Sequence, residues 1–274
     1  MPIIVSGEAM GNVFWSDSAM MMEGRYPSIL AVGDSWFWYP FPGGSLINQL
    51  GELVETKEHV IFALGENGAE VVDYVAGKHS KLIRKALKLH GPSLSAAFIS
   101  GGGNDFAGVN DLRPMLNINC STAKTPDDCF RPGTDDRTLE WLMRKTAENY
   151  EILIGQIMAA TGPDVPIVLH NYDYALPTGK GVFGKESTWL RMALDDANVP
   201  LALQAGCVRL VIDKLTAELV KLTQIDPTRI LLVDSRGCLE PNQWANEIHP
   251  KPAGFKKIAV TRWQPVLQSL SLAG

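Results

Sequence analysis

A serine directly follows an apolar run near the start of the chain, and serine is one of the side chains that can act as a nucleophile. The segment 29–38 runs Ile-Leu-Ala-Val-Gly-Asp-Ser-Trp-Phe-Trp and places Ser35 after Gly33 and Asp34. An apolar run that ends in small polar residues is typical of a buried strand that carries its last residues to the rim of a sheet. Ligands of open α/β sheets bind at that rim. The same three residues are also ordinary turn formers, so Ser35 needs partners before chemistry is assigned to it.

A serine hydroxyl needs a base to take its proton, and the usual base is histidine. Of the five histidines, His249 stands in a loop just before the last predicted helix and is followed by Pro250, which holds the turn. The loop follows the last predicted strand, so we expect His249 on the same rim as Ser35. His170 ends the fourth predicted strand and is the other histidine that the pattern places near the rim.

Two glycine-containing segments supply hydrogen-bond donors at this rim. They are Gly65-Glu66-Asn67-Gly68 after the second predicted strand and Gly101-Gly102-Gly103-Asn104-Asp105 after the third. Glycine lets a backbone N–H approach a ligand closely, and an asparagine amide adds a side-chain donor. Read separately, either segment could be a phosphate-cradling turn or a tight connection, but the first lacks the spacing of a nucleotide-binding fingerprint. We expect the neighbouring Asp34 and Asp105 to accept hydrogen bonds from loop backbone rather than to transfer protons.

The elements that must position these residues alternate between strands and helices. Five predicted strands are short apolar runs: Ser28–Asp34, His59–Leu64, Ser95–Ser100, Val165–Asn171 and Arg229–Asp234. The predicted helices are Gly44–Glu55, Val71–Leu89, Thr138–Thr161, Leu201–Thr223 and Pro252–Leu270. Such alternation predicts an α/β fold, a three-layer α/β/α sandwich around a flavodoxin-like, doubly wound parallel sheet of about five strands.

We predict one domain over residues 1–274, with loop insertions at 106–137 and 172–187. Both insertions follow predicted strands, so both are expected at the rim as walls of a substrate cleft. Aromatic residues in these loops and after Ser35 could line the cleft or pack in the core. The candidates for substrate binding are Trp36, Trp38, Tyr172 and Tyr174.

Together these segments resemble the SGNH (GDSL) hydrolase superfamily. The resemblance rests on four blocks in the superfamily's order: Gly33-Asp34-Ser35, the glycine turn around Gly68, Gly102-Gly103-Asn104-Asp105, and the His249-Pro250 loop. It implies that Ser35 is the nucleophile and that His249 is the general base. It also implies an oxyanion hole formed by the backbone N–H groups of Ser35 and Gly68 with the Asn104 side chain. The implied reaction is acyl transfer to serine and then to water, with no metal or organic cofactor.

One position departs from the superfamily pattern, which usually has aspartate three residues before the histidine. This chain has Asn246 there. An amide oxygen can accept a hydrogen bond from a histidine ring but brings no full charge. Three arrangements stay open: Asn246 orients His249, Glu247 takes over, or a Ser-His dyad uses a backbone carbonyl. We favour Asn246 as the third catalytic residue; it could instead only cap the local turn.

Composition and net charge limit the kinds of partner that the protein is expected to bind. The chain has 274 residues, 46% hydrophobic and 20% charged, with a net charge of −5 and no cluster of basic residues. This is globular composition and argues against nucleic acid as a partner. We see no transmembrane segment and no signal peptide, so we expect a cytoplasmic protein as the chain stands; a secreted or periplasmic location stays open if the N-terminus was trimmed. The sequence does not indicate an oligomeric state.

The four cysteines do not have zinc-site spacing. Cys120 and Cys129 bracket a short polar loop and could form a local disulfide, although four free thiols is the favoured interpretation.

The leading hypothesis is therefore a serine hydrolase that acts on a small-molecule, lipid or carbohydrate ester, cleaving acyl or O-acetyl groups. The alternative is a catalytically weak or inactive protein of the same fold that binds ligands in the rim pocket. A third interpretation is a flavodoxin-like nucleotide-binding protein that uses the turn at residues 101–103.

Overall fold

The computed structural model describes residues 11–38, 44–182 and 188–274. These residues form a parallel six-stranded sheet in the order β1-β3-β2-β4-β5-β6. The strands are β1 (Val13–Phe14), β2 (Ile29–Gly33), β3 (Ile61–Gly65), β4 (Ala96–Ser100), β5 (Ile167–His170) and β6 (Ile230–Val233). The predicted parallel sheet is confirmed, and its five strands are joined by a sixth, β1, which pairs with β3 at the edge. At two residues, β1 is too short to produce a strand pattern in the sequence.

The register of the central strands brings their carboxyl ends level. Gly33 at the end of β2 lies opposite Gly65 on one side and Ser100 on the other. Ser100 in turn lies opposite His170. Gly65 has a φ of +109°, and a Cβ there would lie 2.0 Å from the Gly33 carbonyl oxygen, so only glycine fits at this position. The loops that follow these strands therefore start side by side.

Helices cover both faces of the sheet. One layer contains α4 (Val71–Val75), α5 (Ser80–His90), α7 (Leu139–Ala160) and α9 (Leu201–Thr223). The other contains α2 (Ser35–Trp38), α3 (Leu46–Glu55), α10 (Pro252–Ile258), a π-helical turn (Ala259–Trp263) and α11 (Gln264–Ser269). Short helices outside these layers are α1 (Asp17–Met22), α6 (Val109–Leu112) and α8 (Leu190–Asp196). The arrangement is the predicted three-layer sandwich.

Two predicted helices are interrupted. The predicted helix Val71–Leu89 is two helices, α4 and α5, because the chain turns at Gly77, a residue that favours helix poorly. The predicted helix Pro252–Leu270 contains the π-helical turn just before Pro265. Proline has no N–H to bond the carbonyl four residues earlier, and its ring crowds that carbonyl, so the helix widens there.

The insertion at 106–137 packs onto α8 and α9 through its cysteine-containing part. The Cys120 N–H donates to the Ala197 carbonyl, and the Cys120 thiol lies 3.4 Å from the Cys129 carbonyl oxygen. The Cys207 thiol on α9 lies 3.9 Å from the Pro126 carbonyl oxygen. All four cysteines are buried free thiols. Over the described ranges, no helix combines the length and the apolar character needed to cross a membrane.

Candidate active site

Ser35 is the first residue of α2 and directly follows the turn that ends β2. The Asp34 carbonyl accepts hydrogen bonds from the Phe37 and Trp38 N–H groups, and the Asp34 carboxylate accepts from Trp36 N–H at 3.0 Å. Asp34 therefore caps this short helix with both its backbone and its side chain. The cap holds Ser35 at the carboxyl rim of the sheet, where the sequence predicts it.

The structure brings His249 to Ser35 across 214 residues of chain. The His249 Nε2 atom lies 2.8 Å from the Ser35 hydroxyl oxygen. Both side chains are mostly buried, with 6% and 7% of their surface exposed. This distance is a normal hydrogen bond between a hydroxyl and an imidazole nitrogen. The two residues are thus placed as a nucleophile and its base require.

Asn246 lies against the other nitrogen of the same ring. Its side-chain oxygen is 3.2 Å from His249 Nδ1 and also accepts from the backbone N–H groups of Ile248 (3.1 Å) and His249 (2.9 Å). These two backbone donors fix the amide with its oxygen toward the ring. Because that oxygen can only accept, Nδ1 carries the proton and the Nε2 lone pair faces Ser35. Asn246 thus caps the loop and contacts the ring at the same time.

The hydrogen bonds described for the Glu247 side chain are to backbone N–H groups and not to the His249 imidazole. Its fully buried carboxylate accepts four backbone hydrogen bonds, from Gly179 and from the three successive residues 189–191 at the start of α8, at 2.8 to 3.1 Å. Both carboxylate oxygens are used in this way. Glu247 therefore fastens the histidine loop to the second insertion, and Asn246 is the neighbour that touches His249.

His170, the other histidine expected near the rim, lies below it. Its ring is fully buried between two serine hydroxyls, with Nδ1 3.1 Å from Ser100 Oγ and Nε2 2.8 Å from Ser235 Oγ. Burial lowers the pKa of His170 to about 3, so the ring is neutral at physiological pH. Its hydrogen bonds make it a core residue that joins β4, β5 and the loop after β6.

The candidate oxyanion donors come from two neighbouring loops. Gly68 has a φ of +79°, and among the described residues, its two chain neighbours aside, no atom lies within 4 Å of the position where a Cβ would stand. The Asn104 amide donates to the Ala69 carbonyl at 3.1 Å and, more weakly, to the Asp34 carboxylate at 3.4 Å. These bonds link the second and third rim loops to the turn that carries Ser35.

The buried Tyr172 connects two of the rim loops at the bottom of the site. The Tyr172 hydroxyl donates to the Asp34 carboxylate at 2.6 Å and accepts from the Gly103 N–H at 3.1 Å. Burial raises the pKa of Asp34 to about 6, although the Tyr172 and Trp36 hydrogen bonds oppose that shift. Burial also raises the pKa of the nearby Asp105 to about 7; its carboxylate accepts from Val71 N–H at 3.2 Å. Both carboxylates thus accept a hydrogen bond from a backbone N–H in the first turn of a helix, α2 for Asp34 and α4 for Asp105.

Trp36 connects the serine turn to the histidine loop. Its indole N–H donates to the Ile248 carbonyl at 2.9 Å. Its ring, which is 3% exposed, packs edge-on against Tyr172, with 5.0 Å between ring centroids, and against Phe255 at 5.5 Å. The Trp36 side chain thus connects the residue after Ser35 to the residue before His249.

A small pocket opens beside Ser35 and Asn104. Trp36 and Tyr172, two of the predicted substrate-binding residues, are among the side chains that line it. Trp38 and Tyr174 are not among its described lining residues: Trp38 packs on Trp15, and the Tyr174 hydroxyl donates to Asp213 on α9. Residues 39–43 and 183–187, including the end of the second predicted insertion, lie outside the described residues.

Several side chains at the site were not singled out from the sequence. The Trp189 ring stands edge-on to His249 with 5.9 Å between centroids, and Phe106, Ile212 and Ile248 line the pocket. Phe106 is the first residue of the predicted insertion 106–137, and Trp189 lies two residues after the predicted insertion 172–187. These positions are only a weak indication in the sequence that the two side chains belong to the site. Ile212 lies within the long helix α9, where nothing in the sequence separates it from other core residues.

Burial also sets the protonation of the candidate base. It lowers the pKa of His249 from 6.5 to about 3, because a charged imidazolium would lose its hydration at this position. His249 is therefore neutral at physiological pH and its Nε2 can take a proton. In the described part of the chain, no group of three or more His, Cys, Asp or Glu side chains is arranged to hold a metal ion.

The fold is similar to that of solved lipases. One is the lipase Lip_vut3 from a goat rumen metagenome, with 14% sequence identity, a TM-score of 0.54, and coverage of 90% of this chain and 98% of that chain. Another is an extracellular lipase from Streptomyces rimosus, with 15% identity, a TM-score of 0.50, and coverage of 89% and 99%. A candidate SGNH hydrolase from Slackia heliotrinireducens is 13% identical, with a TM-score of 0.46 and coverage of 86% and 96%.

No protein-family model matches the sequence, and no curated protein matches it. The likeness to solved structures extends over about nine-tenths of the chain. It confirms the three-layer α/β/α fold predicted from the sequence, which this chain shares with the two lipases.

Proposed function

We propose that this protein is a serine hydrolase that cleaves carboxylic esters, with Ser35 as nucleophile and His249 as general base. The observation that carries the proposal is the 2.8 Å contact between Ser35 Oγ and His249 Nε2. The Asn246 oxygen on the opposite nitrogen leaves the Nε2 lone pair facing the hydroxyl. Ser35 and Asn104 both line the small pocket, so a substrate carbonyl has a place to bind beside them. The fold of solved lipases supports the same reaction class.

In the first half-reaction, Ser35 Oγ attacks the ester carbonyl carbon while His249 Nε2 takes the hydroxyl proton. The carbonyl oxygen becomes an oxyanion, and the N–H groups of Ser35 and Gly68 with the Asn104 amide stabilise it. The 3.4 Å hydrogen bond from Asn104 to Asp34 is the weaker of its two bonds, so it is the one that the oxyanion replaces. The intermediate collapses, His249 returns the proton to the leaving alcohol, and an acyl-serine remains.

In the second half-reaction, His249 takes a proton from water, and the water oxygen attacks the acyl-serine carbonyl. The same donors stabilise the second oxyanion. Its collapse releases the carboxylic acid and returns the proton from His249 to Ser35 Oγ. Throughout, Asn246 holds the Nδ1 proton of His249 in place and so keeps Nε2 as the atom that exchanges protons.

The proposal is tested with p-nitrophenyl acetate and a fluorophosphonate probe. We expect p-nitrophenol release to saturate with substrate, and we expect one equivalent of probe to bind covalently, because only an activated serine attacks phosphorus and displaces fluoride. Peptide mass spectrometry should locate the adduct on Ser35. Probe that labels another residue, or ester turnover that survives complete labelling of Ser35, would contradict the mechanism. An absence of both turnover and labelling would favour a non-catalytic binding protein.

Trp36→Phe should lower kcat for p-nitrophenyl acetate by about 3- to 10-fold, with a smaller change in KM. The substitution removes the indole N–H that bonds the Ile248 carbonyl, a hydrogen bond worth about 0.5–1.5 kcal/mol. Without it, the histidine loop is less firmly held against the serine turn, and the distance between Nε2 and Oγ is less well defined. Steady-state kinetics give the separate changes in kcat and KM.

The matched control is Trp263→Phe. Trp263 is also fully buried, and its indole N–H has no hydrogen-bond partner among the described residues. Both variants lose similar ring volume, but only Trp36→Phe loses the bond to the histidine loop. Equal kcat values in the two variants would show that Trp36 acts only through packing.

A further inference from the structure

The Tyr172 hydroxyl is bonded to the residue before Ser35 and to the residue before Asn104. It donates to Asp34 Oδ2 at 2.6 Å and accepts from the Gly103 N–H at 3.1 Å. Asp34 directly precedes the candidate nucleophile, and Gly103 directly precedes the candidate oxyanion donor. Tyr172 itself follows β5, so its hydroxyl joins the loops after β2, β4 and β5. One oxygen atom therefore holds together the two loops between which a substrate carbonyl would bind.

The side-chain amide of Asn104 has two acceptors in the structure. It donates to the Ala69 carbonyl at 3.1 Å and to Asp34 Oδ2 at 3.4 Å. An amide NH₂ group has only two hydrogens, so Asn104 must give up one of these bonds to stabilise an oxyanion. How readily it gives up the bond to Asp34 depends on how strongly the carboxylate attracts it.

Tyr172 and Asn104 donate to the same oxygen of Asp34. The Tyr172 bond has the length of a strong hydrogen bond to a carboxylate, whereas the Asn104 bond at 3.4 Å is long. The other carboxylate oxygen, Oδ1, accepts from the Trp36 N–H at 3.0 Å. Without the Tyr172 hydroxyl, Oδ2 would keep only Asn104 as a donor among the described contacts. The carboxylate would then hold the amide more tightly, because a buried charge that lacks donors is costly.

A glycine lets the tyrosine approach this closely. A Cβ on Gly103 would lie 3.0 Å from Tyr172 Cζ, 3.2 Å from the Tyr172 hydroxyl oxygen and 3.3 Å from Asp34 Oδ2. Gly103 does not have a positive φ, so contact with Tyr172, and not backbone conformation, favours glycine at this position. A methyl group there would push the Tyr172 hydroxyl away from the carboxylate.

We infer that Tyr172 is a positioning residue that keeps Asn104 available to the oxyanion, an inference that rests on the proposed esterase function. The Tyr172 hydroxyl occupies Asp34 Oδ2, so the Asn104 amide can leave that oxygen for the substrate oxygen as negative charge develops there. The same hydroxyl holds the Gly103 N–H, and with it the start of the loop that carries Asn104. The effect of Tyr172 on catalysis therefore passes through Asn104.

Tyr172→Phe should lower kcat for p-nitrophenyl acetate by about 10- to 100-fold, since loss of a whole oxyanion donor costs about 10²- to 10³-fold and this donor is withdrawn only in part. KM should change little, because the Asn104 bond strengthens in the transition state. Phenylalanine keeps the ring that packs on Trp36. Steady-state kinetics are measured above the pKa of Asp34, which burial raises to about 6, so that the carboxylate is ionised.

A double-mutant cycle with Asn104→Ala separates this role from a purely structural one. If Tyr172 acts through Asn104, Tyr172→Phe should change kcat by less than about 2-fold once residue 104 is alanine, because no amide is left to be held. A general loosening of the site would instead lower kcat by the same factor in both backgrounds. Equal factors would therefore overturn the inference.

Tyr150→Phe is the matched control. Tyr150 is also buried, and its hydroxyl donates to the Gly101 carbonyl at 2.9 Å, in the same rim loop as Gly103. Both variants lose one buried tyrosine hydroxyl, so both should have lower melting temperatures. Only Tyr172→Phe loses a donor to Asp34, so Tyr150→Phe should keep the wild-type kcat. An equal fall in kcat in the two variants would count against a specific role for Tyr172.

Gly103→Ala is a second variant that reaches the same contact if Tyr172→Phe does not fold. Its Cβ displaces the Tyr172 hydroxyl from Asp34 without removing it. We expect kcat to fall with little change in KM, and we expect the fall to disappear in the Asn104→Ala background. A fall of equal size in that background would contradict the inference as well.

The outcomes separate the two proposals. A wild-type kcat in folded Tyr172→Phe overturns the inference and leaves the esterase proposal intact. A wild-type kcat in Asn104→Ala also overturns the inference, because Tyr172 then has no oxyanion donor to act through. Hydrolysis that is absent from the wild-type protein, or that survives in folded Ser35→Ala, overturns both proposals.

Discussion

Replacing Ser35 with alanine should abolish the proposed ester hydrolysis, with kcat falling by about 10⁶-fold, as for loss of the nucleophile in a serine protease. The substitution removes the hydroxyl oxygen that lies 2.8 Å from His249 Nε2. Without it, no acyl-serine can form. His249 can then activate only a water molecule, which is not held in a position to attack the ester carbonyl. The measurement is p-nitrophenyl acetate turnover at saturating substrate, with blank rates in buffer subtracted.

Ser80→Ala is the matched control for this result. Ser80 is also buried, but it lies at the start of α5 and its hydroxyl donates to the Gly77 carbonyl. We expect Ser80→Ala to keep the wild-type kcat. Both variants should show folded circular dichroism spectra, since Ser35→Ala removes one oxygen without changing the helix cap at Asp34. Turnover above one-hundredth of the wild-type value in folded Ser35→Ala would refute Ser35 as the nucleophile.

Asn246→Ala should lower kcat by about 10³-fold. Loss of the side-chain oxygen frees the Nδ1 proton of His249, so the ring can adopt the tautomer with the proton on Nε2, which cannot accept a proton from Ser35. A change of tautomer of this kind lowers kcat by about 10⁴-fold in the serine proteases. The substitution also leaves the Ile248 and His249 N–H groups without their cap, so thermal stability should fall as well.

Asn246→Asp distinguishes orientation of the ring from capping of the loop. The carboxylate keeps an acceptor for all three hydrogen bonds, so kcat at neutral pH should equal or exceed that of the wild type. If Asn246 acts only as a cap, Asn246→Ala should lower the melting temperature, and neither Asn246→Ala nor Asn246→Asp should change kcat. That pair of results would remove Asn246 from the mechanism.

The pH dependence adds a second measurement on the same residue. His249 must be neutral to act as a base, and burial lowers its pKa to about 3. Activity limited by His249 is therefore retained as pH falls and is lost only near pH 3. In Asn246→Asp, a negative charge beside Nδ1 stabilises the imidazolium, so the pKa of His249 rises and the acid limb of kcat/KM moves to higher pH. Asp34, with a pKa of about 6, is present in both proteins, so their difference reports His249.

Much of the fold followed from local patterns. The strands β2 to β6 are buried apolar runs, and each lies within or overlaps the run that predicts it. The helices α7 and α9 match their predictions within a residue at each end, because both have long, regular apolar patterns. Prediction was wrong where one residue interrupts a helical pattern, as Gly77 does between α4 and α5, or where an element is very short, as β1 is.

The candidate site, like the fold, could be predicted from the sequence only in part. The sequence by itself determined that Ser35, Gly68, Asn104 and His249 share one rim, because each follows a strand and parallel strands end at the same edge of a sheet. It also identified Asn246 as the position that departs from the superfamily pattern, but it did not show which side chain contacts the His249 ring.

Only the tertiary structure decided which neighbour of His249 touches the ring. Asn246 and Glu247 are adjacent in sequence, yet one contacts Nδ1 and the other binds four backbone N–H groups, of Gly179 and of residues 189–191 at the start of α8. The bond from Trp36 to Ile248, across 212 residues, and the set of residues that line the pocket were decided in the same way. Such contacts depend on how buried polar groups find partners when separate segments pack together, and no local pattern in the chain specifies that pairing.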